Sequence, residues 1–248
     1  MRWRCSPRLG WAAWGGRGMA GRRRGRGLGM WAVLVGVSGL VLGVGAFGCA
    51  RDAYGVSTVG GGSMRPAYER GQRVVWERVD GSGVRRGDVV MFTPPESYGF
   101  AGQLMKRVVG VGGDRVRCCT LVGSRERVTV NGKPIEEPYV YGGDADGAHQ
   151  RYDVQVPKGR LFLLGDYRAN SNDSRFHLDE QGGTVSVHAV LGRVTDDRTV
   201  PALLVTAMLL GLVLLLIGVG LGIGFLAVRR RRAPEMPRMP WPVRPSGS

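Results

Sequence analysis

Leu104-Met105-Lys106-Arg107-Val108-Val109-Gly110-Val111, closed by Gly112-Gly113, is the stretch on which the fold turns. It is a short, mostly apolar run rich in valine and stopped by glycine, which reads as a strand rather than a helix. Working outward, Asp88-Val89-Val90-Met91-Phe92 follows a glycine turn and ends before Pro94-Pro95. Further upstream, Arg73 to Val79 mixes apolar and charged positions as a half-exposed strand does. Downstream, Arg127-Val128-Thr129-Val130 runs into Asn131-Gly132, a two-residue hairpin signal. Arg160 to Leu164 and Val190 to Val194 supply later strands. Gly142 to Gln150 is polar, acidic and glycine-rich, and reads as a loop. No part of this region sustains a 3.6-residue period, so the fold class expected is mainly β. Residues 51–198, about 148 in number, suffice for one core.

Beyond that region the chain changes character. Leu28 to Ala50 and Thr199 to Val228 contain no charged residue, and each is long enough to cross a hydrocarbon core at roughly 20 residues per span. The net charge of +15 sits outside them. Residues 1–27 carry +8, residues 229–248 carry +5, and everything between carries +2. A basic excess confined to two tails, with no basic stripe of interleaved aromatics, argues against nucleic-acid binding. Arginines flank each apolar run on its outer side, and positive charge stays cytoplasmic. The expected layout is a cytoplasmic basic tail (1–27), a transmembrane helix (28–50), an extracytoplasmic domain (51–198), a second transmembrane helix (199–228) and a cytoplasmic basic, proline-rich tail (229–248). The first run exceeds the roughly 7–15 apolar residues of a signal peptide. Ala46-Phe47-Gly48-Cys49 only faintly resembles a lipoprotein cleavage site, so an uncleaved anchor is preferred. Cys118 and Cys119 are adjacent, which leaves a free pair and a redox-labile link both open.

Three segments carry candidate chemistry. Gly60-Gly61-Gly62-Ser63-Met64-Arg65-Pro66 presents a serine in a glycine-rich turn, with room for a substrate strand and with backbone N–H groups free for an oxyanion. A serine hydroxyl needs an adjacent base. The chain has three lysines against 32 arginines, so a lysine at 106 inside an apolar strand asks for a lysine-specific reason. Only lysine can be desolvated into a neutral base, since arginine keeps its proton. Lys133 and Lys158 fit solvated turns instead. Gly165-Asp166-Tyr167-Arg168-Ala169-Asn170-Ser171-Asn172-Asp173-Ser174-Arg175 supplies polar groups at a strand end, where Asp173 and Arg175 can pair and Ser171 can fix the lysine amine. His149, His177 and His188 have no ligand spacing, and no metal or cofactor is expected. By residue type alone, Met64, Tyr68 and Trp76 are as well suited to an interfacial surface as to a core.

In order along the chain, Ser63-Met64-Arg65-Pro66, Arg86-Gly87-Asp88-Val89-Val90, Lys106-Arg107-Val108-Val109-Gly110 with Gly113-Asp114-Arg115-Val116, and Gly165 to Arg175 resemble the four boxes of bacterial type I signal peptidases. That resemblance implies an exported antiparallel β domain of the signal-peptidase/LexA-like type between two transmembrane helices. It implies Ser63 as nucleophile, Lys106 as general base, the Ser63 backbone N–H in the oxyanion hole, Ser171 orienting Lys106, and Asp173, Arg175 and Arg107 as structural support. The implied activity is removal of signal peptides from secretory preproteins at Ala-x-Ala-like sites, by a monomeric enzyme in contact with membrane lipid. There are departures: Ala67 replaces a usual Thr, Tyr167 a common Asn, and Ala169 a common Asp. Gly61 stands where some members have a serine whose hydroxyl helps bind the oxyanion. A serine–histidine peptidase and a self-cleaving repressor fit less well. A catalytically inactive paralogue that binds signal peptides or assists secretion is the alternative reading.

Overall fold

The computed structural model describes residues 20–231. Most of both basic tails, Cys5 and the proline-rich end therefore lie outside the described residues. Two compact units emerge, one holding most of two long helices and one holding residues 48–203.

In the first unit, helix α1 (Ala20–Ala53) and helix α2 (Thr199–Arg231) contain both apolar runs. Each is long and apolar enough to cross a membrane. Glycines let their backbones touch. A Cβ added at Gly39 would lie 2.6 Å from the Gly211 carbonyl oxygen, and one added at Gly218 would lie 2.6 Å from the Gly36 nitrogen.

The second unit is antiparallel β throughout. Strands β1 (Tyr54–Thr58), β2 (Arg73–Glu77), β3 (Val89–Phe92), β4 (Leu104–Val111), β5 (Arg115–Val122), β6 (Arg125–Val130), β7 (Lys133–Pro134), β8 (Tyr152–Gln155), β9 (Arg160–Leu164), β10 (Val185–Ser186) and β11 (Val190–Val194) form two sheets. The larger has the order β1-β2-β11-β3-β4-β9-β10 and the smaller β7-β6-β5-β8. Asn131 and Gly132 both take positive φ, 52° and 77°, as the β6–β7 hairpin requires.

Strand β9 explains why two sheets need two cores. Its residues Leu161 to Leu164 are all buried. Leu161 and Leu163 enter one cluster with Val90, Phe92 and Val108, whereas Phe162 and Leu164 enter the other with Val109, Val116 and Val154. Strand β4 joins both clusters too, because consecutive Val108 and Val109 point to opposite faces of the strand. At Gly110 a Cβ would collide with Val116, so glycine lets the two layers close there. A third cluster, Val59, Met64, Tyr68, Val74 and Val89, anchors the turn that carries Ser63. Met64, Tyr68 and Trp76 are buried, so of the two uses open to them the core one holds. Trp76 Nε1 finds its partner in Ser57 Oγ at 3.0 Å.

Cys118 and Cys119 are joined as a disulfide, the bridged of the two states left open by their adjacency. Strands β1, β5, β8 and β10 are additions to those expected from the sequence, and β7 is the second arm of the Asn131-Gly132 hairpin.

Candidate active site

Ser63 sits in the turn that follows β1. Backbone bonds from Val59 N to Gln72 O (2.9 Å) and from Gly71 N to Val59 O (2.8 Å) close the loop behind it. Burial of Met64, the next residue, pins the turn from below. The carbonyl of Ser63 accepts from Tyr167 N at 2.9 Å. The nucleophile candidate is thus tied to the Gly165–Arg175 loop by its own backbone.

Lys106 lies on β4 opposite Val90 of β3. It is 3% exposed, and its sole side-chain hydrogen bond among the described residues runs from Nζ to Ser63 Oγ at 2.8 Å. Burial pulls its pKa from 10.5 down to about 8; Asp173 opposes that drop, Arg175 adds to it and Asp166 opposes it. Desolvation prevails because each nearby carboxylate already has a guanidinium. Arg107 Nε and Nη2 grip Asp166 at 2.8 and 2.6 Å, and its Nη1 donates to Gly87 O. Asp166 is nonetheless held above the usual carboxylate range by its burial, with Arg107 pulling the other way. Arg175 Nε and Nη2 hold both oxygens of Asp173 at 2.8 and 3.0 Å, with both side chains wholly buried. Arg175 also donates to the carbonyls of Asp146 and Arg168. Asp173 in turn accepts from Gly165 N.

The sequence reading missed the third pair. Arg168 Nη2 meets Glu137 at 2.6 Å, and Arg168 also donates to Gly165 O and Ala145 O, all in the interior. Arg168 stands in a loop already singled out, but Glu137 precedes Pro138 with nothing local to mark it.

Ser63, Lys106, Arg107, Asp173 and Arg175 thus stand in a connected hydrogen-bonded setting. Ser171 comes close behind it. Its Oγ is buried without a hydrogen bond, so the expected contact with Lys106 is not made in this arrangement. Gly165 is required beside it, since a Cβ there would overlap Ser171 Oγ. On the other side of Ser63 opens a cavity of about 310 Å³, walled by Val59, Met64, Val74, Met91, Leu104 and Met105. Beside this cavity, Leu104 to Lys106 pair with β3 only, since the β9 ladder begins at Arg107. One edge of that segment is therefore open for an extended peptide. Among the described residues, no group of three His, Cys, Asp or Glu side chains is placed to hold a metal ion.

Comparison with known proteins gives the chain a family. The family model described as "Signal peptidase, peptidase S26" matches residues 31–196. A probable signal peptidase I of Mycobacterium leprae is 35% identical over 125 residues, covering 42% of this chain and 40% of that protein. A signal peptidase I of Bacillus caldolyticus is 30% identical over 149 residues, covering 55% of this chain and 74% of the relative. The chain spans 40% and 37% of the length of its mycobacterial relatives. A solved signal peptidase I from Enterococcus faecalis is 25% identical, with 45% of this chain and 97% of that one covered and a TM-score of 0.34.

Proposed function

Because the chain belongs to the signal peptidase family, peptidase S26, we propose that it is a membrane-anchored serine endopeptidase that removes signal peptides from exported preproteins. The observation that carries this reading is the 2.8 Å contact between Ser63 Oγ and the buried amine of Lys106. Neutral Lys106 accepts the Ser63 proton as Oγ attacks the scissile carbonyl. The tetrahedral intermediate collapses to an acyl-enzyme, and Lys106 returns the proton to the leaving amine of the mature protein. A water, deprotonated by Lys106, then releases the signal peptide. The Ser63 backbone N–H donates to the oxyanion. Asp173, Arg175 and Arg107 fix the loop and strand that carry the dyad, and Ser171 lines its rear.

The substrate enters as an extended strand along Leu104 to Lys106, with a small side chain in the adjoining apolar cavity, consistent with an Ala-x-Ala-like site. Helices α1 and α2 anchor the enzyme in lipid. The arginines at residues 22–26 and 229–232 keep both termini cytoplasmic, leaving residues 51–198 extracytoplasmic. Both groups of the dyad come from one chain, so a monomer holds a complete dyad and is the form proposed.

The test is cleavage of a preprotein bearing an Ala-x-Ala junction by the full-length protein in detergent, beside its Ser63→Ala variant. Cleavage at the junction by the unaltered protein alone is expected. Cleavage by neither, with folding verified, refutes the reading and favours a non-catalytic binder.

A further inference from the structure

We propose that the side-chain amide of Asn170 is the second oxyanion donor, filling the role that Gly61 has no side chain to fill. This inference rests on the peptidase reading above. As Ser63 Oγ bonds to the scissile carbon, the carbonyl π pair moves onto oxygen. That charge needs donors fixed in advance. The Ser63 N–H is one. Gly60 and Gly61 face open space, with no atom within 4 Å of where a Cβ would be. Beside Gly62, the residue whose peptide bond carries the Ser63 N–H, stands Asn170 Nδ2, 3.3 Å from the Cβ position. The other neighbour there is a methylene carbon of Arg65. The Arg65 guanidinium is turned away, to Glu69 at 3.3 Å and over the Tyr141 ring. Among the described residues, Asn170 Nδ2 is thus the one side-chain donor within 4 Å of those Cβ positions.

Two further facts suit the role. The Asn170 amide makes no hydrogen bond among the described residues, whereas Asn172 in the same loop donates to Tyr98 O and meets His177. A donor kept free and exposed at the nucleophile is a donor available to substrate. Its backbone is nevertheless held. Asn170 N donates to Tyr167 O, Tyr167 N donates to Ser63 O, and the intervening Arg168 is locked by buried Glu137 and by Arg175. The backbone that carries the amide is therefore held to the nucleophile's own peptide, which limits the reorganisation the amide needs to meet the oxyanion.

The experiment measures steady-state cleavage of an Ala-x-Ala peptide by the full-length protein in detergent, with Asn170→Ala, Asn170→Asp and the double variant Asn170→Ala/Gly61→Ser. Loss of one oxyanion donor lowers kcat on the order of 10²-fold and leaves KM nearly unchanged. Asn170→Asp, of equal shape but without a donor, falls at least as far. Gly61→Ser places a hydroxyl in the open space at Gly61 and restores kcat tenfold or more, roughly, in the Ala background. The acid limb of the pH profile, set by Lys106, does not move in any variant. A merely structural Asn170 would give no rescue by Gly61→Ser, and that result overturns the proposal. So does an Asn170→Ala kcat close to that of the unaltered protein, while Ser63→Ala is dead; the peptidase reading would then stand. An inactive unaltered protein overturns both.

Discussion

Replacing Lys106 by methionine should stabilise the protein while abolishing its activity. The amine is 3% exposed and its pKa is drawn down from 10.5 to about 8 by burial. Below pH 8 the folded state carries that proton at a cost the unfolded chain does not bear. At about 1.36 kcal/mol per pH unit, a fall from 10.5 to about 8 amounts to ~3 kcal/mol. Methionine fills nearly the same volume without charge. It forfeits the bond from the charged amine to Ser63 Oγ, worth ~2 kcal/mol, which leaves a net gain of ~1 kcal/mol at pH 6. The sign reverses the usual expectation that removing a hydrogen-bonded buried group destabilises. The pH dependence is sharper still. A group with a depressed folded pKa contributes stability that is complete above its unfolded pKa and lost as pH falls through the folded one. The unaltered protein therefore gains stability between pH 8 and 10.5 relative to Lys106→Met. Tyr98, Tyr139 and Tyr152, all raised by burial, act equally in both proteins and cancel in the difference. Urea unfolding of the two full-length proteins in detergent, from pH 6 to 9.5 and followed by near-ultraviolet circular dichroism, measures this. Parallel curves, or a variant less stable at pH 6, refute a buried amine of depressed pKa.

Three other outcomes follow from the same geometry. If Lys106 acts neutral, kcat/KM falls about tenfold per pH unit below its pKa of about 8; a profile flat from pH 5 to 8 refutes it. Asp173→Ala leaves Arg175 and Gly165 N without their buried acceptor and should cost about 3–5 kcal/mol, read as a lowered urea midpoint. Gly211→Leu drives a side chain into the backbone of Gly39 and Gly43 and should separate the helices, measured as lost cross-linking between cysteines placed on α1 and α2.

The sequence announces what period and punctuation can carry. Strands β4 and β11 match their apolar runs to the residue, and Asn131-Gly132 makes the hairpin its dipeptide foretells. Strand β5 shows how a signal can be present and overlooked. Arg115-Val116-Arg117-Cys118 alternates exposed and buried, but the cysteine pair draws attention to redox chemistry rather than to period two. Strand β8, with Tyr152 and Val154 inward, is only four residues long beside a polar loop. In the site, the motif residues declare themselves by their resemblance to the family's boxes, and Glu137 lies in none of them. Its partner Arg168 is 31 residues away, and a carboxylate bound for the interior is written like one bound for solvent.

That blindness to pairing matters, because the pairs determine what Lys106 can be. Two carboxylates, Asp173 and Asp166, act on its charge, and a third, Glu137, acts on Asp166. Left unpaired in the interior, any of them would favour a protonated lysine and keep it from accepting a proton. Each instead holds an arginine at hydrogen-bond distance: Arg107, Arg175 and Arg168 in turn. Guanidinium groups do not release their protons in this range, so the pairs persist wherever the enzyme works and their fields largely cancel. What remains at Lys106 is desolvation, and desolvation lowers its pKa. A chain with 32 arginines and three lysines thus uses arginine for the paired cations of the site and lysine at the one position where the proposed mechanism needs a cation to become a base. Arg168→Lys tests this division: a titratable, singly pointing cation opposite Glu137 should loosen the loop and let the acid limb of the pH profile drift, whereas an unchanged profile would place Glu137 and Arg168 outside the machinery altogether.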